Sequence, residues 1–196
     1  MAQRKNKVAK VILDWVIANS LGVAVIGALS LIPFPTSLRG MFVLSLLIGL
    51  PIGVAQWVAL RQVAPISKLW LFTISAGLFL GLAALNTPTA IRILGFTDDE
   101  SFLALSVGYL IIGLFIGLAQ WVFLRGHFNN SLVWPLSSAI GLGLGLYLVL
   151  VSDLINQSGL ASIILVVLVY AIATGLAFSL MPGLESKVEI NPVDTT

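Results

Sequence analysis

Six apolar stretches of membrane-spanning length, at about 11–32, 38–60, 69–86, 102–124, 132–151 and 160–181, divide this sequence and leave little chain between them. A helix rises about 1.5 Å per residue, so about 20 apolar residues cross the hydrocarbon core of a bilayer. The stretches are continuous rather than alternating, which argues against the in–out pattern of membrane barrel strands. Turn formers and charges fill the breaks: Pro33 and Pro35, Arg61 to Lys68, Asn86 to Ser101, Arg125 to Ser131, and Ser152 to Gly159. The expectation is an all-α, polytopic membrane protein, one domain over residues 1–196 with six transmembrane helices and a tail at 182–196. Composition agrees, with 59% hydrophobic residues, 9% charged, and no cysteine. Soluble domains carry roughly a quarter of their residues as charges. The density here excludes a soluble globule, a disordered chain and a disulfide-stapled secreted scaffold.

Lys and Arg in the short loops set the orientation. With the N-terminus inside, Arg4, Lys5, Lys7, Lys10, Arg61, Lys68, Arg125 and Lys187 fall on the inner side, and only Arg39 and Arg92 on the outer. Both termini are therefore expected to be cytoplasmic, in a bacterial-type inner (plasma) or thylakoid membrane. The basic start and first apolar run read as a retained span rather than a cleaved signal. The run is long, contains Asp14 and lacks a small-x-small cleavage site near its end. The net charge of +2 is a topology signal, too small and dispersed for a nucleic-acid footprint.

A shift of 64 residues lays 46–82 on 110–146 without a gap, and nineteen of the thirty-seven positions are identical. The shared block runs Gly49, Gly53, Gln56, Trp57 and Arg61 against Gly113, Gly117, Gln120, Trp121 and Arg125. It continues through Trp70, Gly77 and Gly81 against Trp134, Gly141 and Gly145. Trp15 precedes Gly22 by the same seven residues that separate Trp70 from Gly77. Span 6 keeps Ala171 and Gly175 where span 4 has Gly113 and Gly117, which aligns Phe178 with the two glutamines. Three parallel helical hairpins about an axis along the membrane normal, with diverged terminal spans, account for this pattern.

At about 100° per residue, Gly49, Gly53 and Gln56 share one stripe of a helix, as do Gly113, Gly117 and Gln120. Glycines four apart admit a neighbouring backbone, and a Gln one turn on can hydrogen-bond to it. Thr73, Gly77 and Gly81 in span 3, and Ser137, Gly141 and Gly145 in span 5, offer matching small faces. The glutamines have two readings, as helix-packing glue or as the lining of a polar site. All five tryptophans, Trp15, Trp57, Trp70, Trp121 and Trp134, fall at the cytoplasmic ends of their spans, with Arg61 and Arg125 just beyond. Interfacial anchoring is the simple account; a rim that docks a partner or lipid headgroups is the sharper one. Pro51 is expected to kink span 2.

Apart from Arg39 at the outer edge of span 2, Asp14 is the one charge within a span, four residues after Lys10, and pairing at the interface competes with a coupling role. Thr97 with Glu100 reads as a capping box for span 4, and Pro88 to Phe96 as a surface amphipathic segment. His127 is the sole histidine. No metal cluster, haem-ligand pair, phosphate loop or nucleophile dyad is legible, so no enzyme activity and no cofactor are expected.

The Gly-x-x-x-Gly-x-x-Gln-Trp-x-x-Leu-Arg block, at 49–61 and again at 113–125, resembles that of uncharacterised multi-pass membrane proteins of bacteria, cyanobacteria among them. That resemblance covers about a third of the chain and implies no activity. In size and span count the chain is also similar to the substrate-binding subunits of energy-coupling-factor vitamin transporters. The expected function is non-enzymatic: an accessory or scaffold subunit, or a homo-oligomer, joined through the Gly and Gln faces and the Trp/Arg rim. Its partners would be the lipid bilayer and another membrane protein or a second copy. The alternative is a transporter or channel for a small, weakly polar solute, using Gln56, Gln120, Thr73, Ser137 and Asn19 with Asp14 nearby. A bound lipid or pigment is a third possibility.

Overall fold

The structure, a computed structural model, describes residues 10, 12–20, 22, 37–62, 64–87, 102–152 and 159–181. Residues 12–20 are helical (α1), followed by α2 (Leu38–Leu60), α3 (Thr73–Leu85), α4 (Phe102–Leu124), α5 (Val133–Val151) and α6 (Gly159–Leu180). A 3₁₀ turn at Lys68–Phe72 runs directly into α3. Among the described residues there is no strand, and five helical segments are long and apolar enough to cross a membrane. The ends of α2 and α4 fall where the apolar runs place them. Most of the first expected span's outer part, the 88–101 segment with its capping box, and the 182–196 tail lie outside the described residues.

Local chemistry explains the ends. Ser37 caps α2 by accepting from Gly40 N at 3.2 Å, and Ser67 caps the 3₁₀ turn by accepting from Leu69 N at 3.3 Å. In the α4–α5 turn, Asn130 takes a positive φ of 55°, a conformation Asn tolerates better than most residues. α2 runs unbroken through Pro51, whose ring is exposed on the outer face.

The polarity of the surface is inverted relative to a protein in water. Leu38, Leu80, Val122, Ile140 and Leu176 are among many large apolar side chains turned outward, whereas Gln56, Gln120, Ser138 and Thr174 are wholly buried. Apolar surroundings make this the stable arrangement, since an amide facing lipid finds no hydrogen-bond partner there.

Close backbone approach joins the helices in chain order. A Cβ on Gly53 would strike the Leu71 carbonyl between α2 and α3, and one on Gly77 would strike the Ile116 backbone between α3 and α4. Gly113 meets the Ser138 carbonyl of α5, and Gly141 lies against Tyr170 of α6. The first segment touches both ends of this series: Gly22, just past α1, packs on Ile52 of α2, while Ile12 and Trp15 of α1 pack on Gly175 of α6. The described segments thus form a closed ring of six helices.

Candidate functional site: an apolar cavity over a polar network

The interior of the ring is organised in three levels along its length. Nearest the loops carrying Arg61 and Arg125 is an aromatic plug. Trp15, Trp70 and Trp134 are each 0% exposed and come from α1, the 3₁₀ turn and α5. Trp15 lies 5.1 Å from Trp134 and 6.5 Å from Trp70 between ring centroids, both edge-on. Phe178 of α6 completes the cluster, 5.4 Å from Trp15 and 4.9 Å from Trp134. Edge-on and tilted arrangements suit the ring quadrupoles and fill the axis of the bundle.

The next level is a chain of buried hydrogen bonds that crosses four helices. Trp134 Nε1 donates to Gln120 Oε1 at 2.8 Å. Gln120 Nε2 donates to Gln56 Oε1 at 2.8 Å, and Gln56 Nε2 donates to Asn19 Oδ1 at 2.7 Å. Asn19 Nδ2 then donates to the Trp15 carbonyl at 2.8 Å. A return arm runs through α6. Trp15 Nε1 donates to Thr174 Oγ1 at 2.9 Å, Thr174 Oγ1 donates to the Tyr170 carbonyl at 2.7 Å, and the Tyr170 hydroxyl donates to Gln120 Oε1 at a long 3.5 Å. The loop is closed.

One N–H is left over. Trp70 stands fourteen residues after Gln56, as Trp134 stands after Gln120, yet Trp70 Nε1 has no partner among the described residues. Gln56 Oε1, its counterpart acceptor, is taken by Gln120.

The third level is a cavity of about 400 Å³ in the half of the bundle away from Arg61 and Arg125. Ile52, Leu78, Leu82, Ile116, Leu146 and Val166 contribute to its walls, one or two from each of α2 to α6. The described polar residues lining it are Asn19, Tyr109, Ser162 and Tyr170, and none of its described lining residues is charged. Asn19 and Tyr170 belong to the network, so the cavity has an apolar wall and a hydrogen-bonding floor.

The residues singled out from sequence distribute unevenly over these levels. Gln56, Gln120 and Asn19 come together, but Thr73 donates to the Trp70 carbonyl at 2.8 Å within its own turn. Ser137 and Asp14 are half-buried, and among the described residues no hydrogen bond or ion pair joins either of them to a polar path. The five tryptophans separate into two groups. Trp15, Trp70 and Trp134 fill the core rather than a rim, because their spans turn them inward. Trp57 and Trp121 are half-buried and donate to the following loops, to the Ile66 carbonyl and to Ser131 Oγ, each at 3.1 Å. Exposed Arg61 and Arg125 stack on these two rings at 5.1 and 5.2 Å.

The glycine stripes, read as matching faces between the chain's own spans and also as faces for joining separate chains, are covered by helices of the same chain. Phe178 also sits differently from the alignment on Ala171 and Gly175. Gly77 packs on Ile116, four residues before Gln120, and Gly141 packs on Tyr170, four residues before Thr174. Packing register therefore puts Thr174 where Gln120 stands. The sequence signal for Thr174 and Tyr170 was present only as a polar pair four apart in the middle of a span whose other polar residues, Ser162 and Ser179, lie near its ends. His127 is half-buried in the α4–α5 loop, and no three His, Cys, Asp or Glu residues group together among the described residues.

The fold and its inverted polarity define an α-helical membrane protein. Comparisons with protein-family models, with curated proteins and with solved structures found no match for this chain.

Proposed function

We propose that this protein is a membrane-embedded binding protein for a small, uncharged, largely apolar solute, as in the substrate-binding part of a transporter. The cavity carries this reading. Ligand sites are typically concave, about 300–1,000 Å³, apolar, and set with a few convergent polar groups. A volume of about 400 Å³ floored by Asn19 and Tyr170 has those properties. The absence of charge among its described lining residues selects against ions, since a charge in such surroundings loses its hydration without a counter-ion. The aromatic plug fills the axis on the other side of the network, which favours capture over an open channel.

Packing contacts recur at a spacing of 64, with Gly53 on Leu71 and Gly117 on Pro135. That recurrence supports three hairpins around an axis along the membrane normal. The distribution of Lys and Arg supports an arginine end at the cytoplasm, and so a cavity in the outer half of the membrane.

The test is an apolar fluorescent reporter titrated into the purified protein in nanodiscs. Leu82→Trp, which fills the cavity from its wall, is expected to weaken binding at least tenfold while leaving the fold intact. Equal binding by both proteins, or no saturable binding by either, sinks the reading.

A second reading, an accessory subunit docking at the arginine end, draws on the two stacked Arg–Trp pairs. Both guanidinium groups are exposed and have no acidic partner among the described residues. Crosslinking in native membranes that traps the same partner in wild type, and loses it in the Arg61→Ala, Arg125→Ala double variant, would favour it. Capture unchanged in the variant would remove it.

A further inference from the structure

The floor of the cavity holds two donors whose hydrogen bonding is incomplete, the second amide hydrogen of Asn19 and the long-bonded hydroxyl of Tyr170. Asn19 and Gln120 each carry two amide hydrogens and use one, toward the Trp15 carbonyl and Gln56 Oε1, while Gln56 donates to Asn19 Oδ1 and also lies with its amide against the Tyr170 hydroxyl. Gln120 Oε1 already receives two donors, one of them the distant Tyr170 hydroxyl at 3.5 Å. On the plug side of the network, the Trp70 Nε1–H has no acceptor among the described residues. A buried donor without an acceptor is unfavourable, so a network of this composition gains when an acceptor is brought to it. Only two of its members line the cavity, Asn19 and Tyr170, which are 2% and 7% exposed. The Tyr170 O–H has the weakest existing bond in the loop. It can turn toward a better acceptor with little loss, because Trp134 still satisfies Gln120 Oε1 at 2.8 Å.

We infer that the cavity takes a neutral lipid-like molecule bearing a carbonyl-type acceptor, held head-first with its oxygen on Tyr170 Oη–H and Asn19 Nδ2–H. The inference rests on the binding reading above and adds the ligand's polarity, chemical class and direction. The apolar walls of Leu78, Leu82 and Ile116 surround the hydrocarbon part. A free carboxylate is disfavoured because no cation lines the cavity among the described residues. A plain alkane leaves the surplus donors as they are.

The experiment uses the full chain in nanodiscs and three probes of equal chain length: a medium-chain 2-alkanone, the n-alkane and the fatty-acid carboxylate. Binding to wild type is compared with binding to Tyr170→Phe, and the ratio for each probe cancels its own partitioning into lipid. The ketone is expected to lose about three- to tenfold in Tyr170→Phe, the worth of one neutral hydrogen bond, while the alkane is unchanged. Asn19→Leu is a second variant with the same expected selectivity loss, its folding checked by thermal unfolding in the same nanodiscs. A ketone no better bound than the alkane in wild type overturns the inference and leaves the binding reading standing. A ketone preference that survives both variants, or a carboxylate bound as well as the ketone, also overturns the inference alone. If none of the probes competes with the apolar reporter, the binding reading fails with it.

Discussion

Gln120 Nε2 donates to Gln56 Oε1 at 2.8 Å, so two residues sixty-four positions apart, on helices that are not neighbours in the chain, meet inside the ring. Their identical sequence settings give them different tasks. Gln120 receives an indole N–H from Trp134, whereas Gln56 receives Gln120 and passes its own N–H to Asn19. The pair is the hinge of the polar network, and its energetics are measurable.

A double-mutant cycle on Gln56→Leu and Gln120→Leu should return a coupling of about 0.6–1.7 kcal/mol, the range of interhelical hydrogen bonds in membrane proteins. Gln120→Leu should be the more destabilising single change, because it also strands the Trp134 N–H. Reversible unfolding in mixed micelles provides the readout. Equal single effects with no coupling would contradict the network.

The two equivalent tryptophans should respond unequally to the same change. Trp134→Phe loses a 2.8 Å hydrogen bond as well as ring volume, and Trp70→Phe loses volume and an N–H that has no partner among the described residues. Trp134→Phe is therefore expected to cost about 1 kcal/mol more than Trp70→Phe, measured by unfolding under identical conditions. The reverse order would require a different network.

Glycine substitutions should divide by contact. Gly113→Ala drives a Cβ into the Ser138 carbonyl, a rigid backbone atom, and should cost about 1–3 kcal/mol. Gly126→Ala, in the α4–α5 loop with nothing within 4 Å of the added Cβ, should be within about 0.5 kcal/mol of wild type. Thermal unfolding of the two variants side by side checks the contrast.

The chain contains no cysteine, so single cysteines report topology without background. Asn129→Cys, exposed in the α4–α5 loop, should react with a membrane-impermeant maleimide only when the cytoplasmic face is opened. Thr87→Cys, exposed at the other end of α3, should react in intact cells. The opposite pattern would invert the proposed orientation and move the cavity to the inner half.

The fold was readable because a bilayer demands long apolar helices, and nothing but length and hydropathy is needed to find α2 and α4 to within their ends. Gln56, Gln120 and Asn19 stood out as polar letters in apolar runs. What sequence did not resolve was register and facing. A stripe of small residues looks nearly the same after a shift of four, one helical turn, so aligning Gly175 with Gly117 put Phe178 in the place that packing assigns to Thr174. Trp15, Trp70 and Trp134 share their position along the membrane normal with Trp57 and Trp121. Only the helix face separates core from rim, and depth alone carries no information about it. The cavity is made of ordinary Leu, Ile and Val, chosen no differently from those that pack tightly.

The closed ring carries a consequence for how the protein is made. Trp15 Nε1 finds its acceptor, Thr174, 159 residues later in the chain. Synthesis from the N-terminus threads α1 into the bilayer long before α6 leaves the ribosome. Through that interval the Trp15 indole lacks its native acceptor and Asn19 has only the helices already inserted to meet. A nascent chain cut short before α6 would thus display an unquenched polar seam within the lipid.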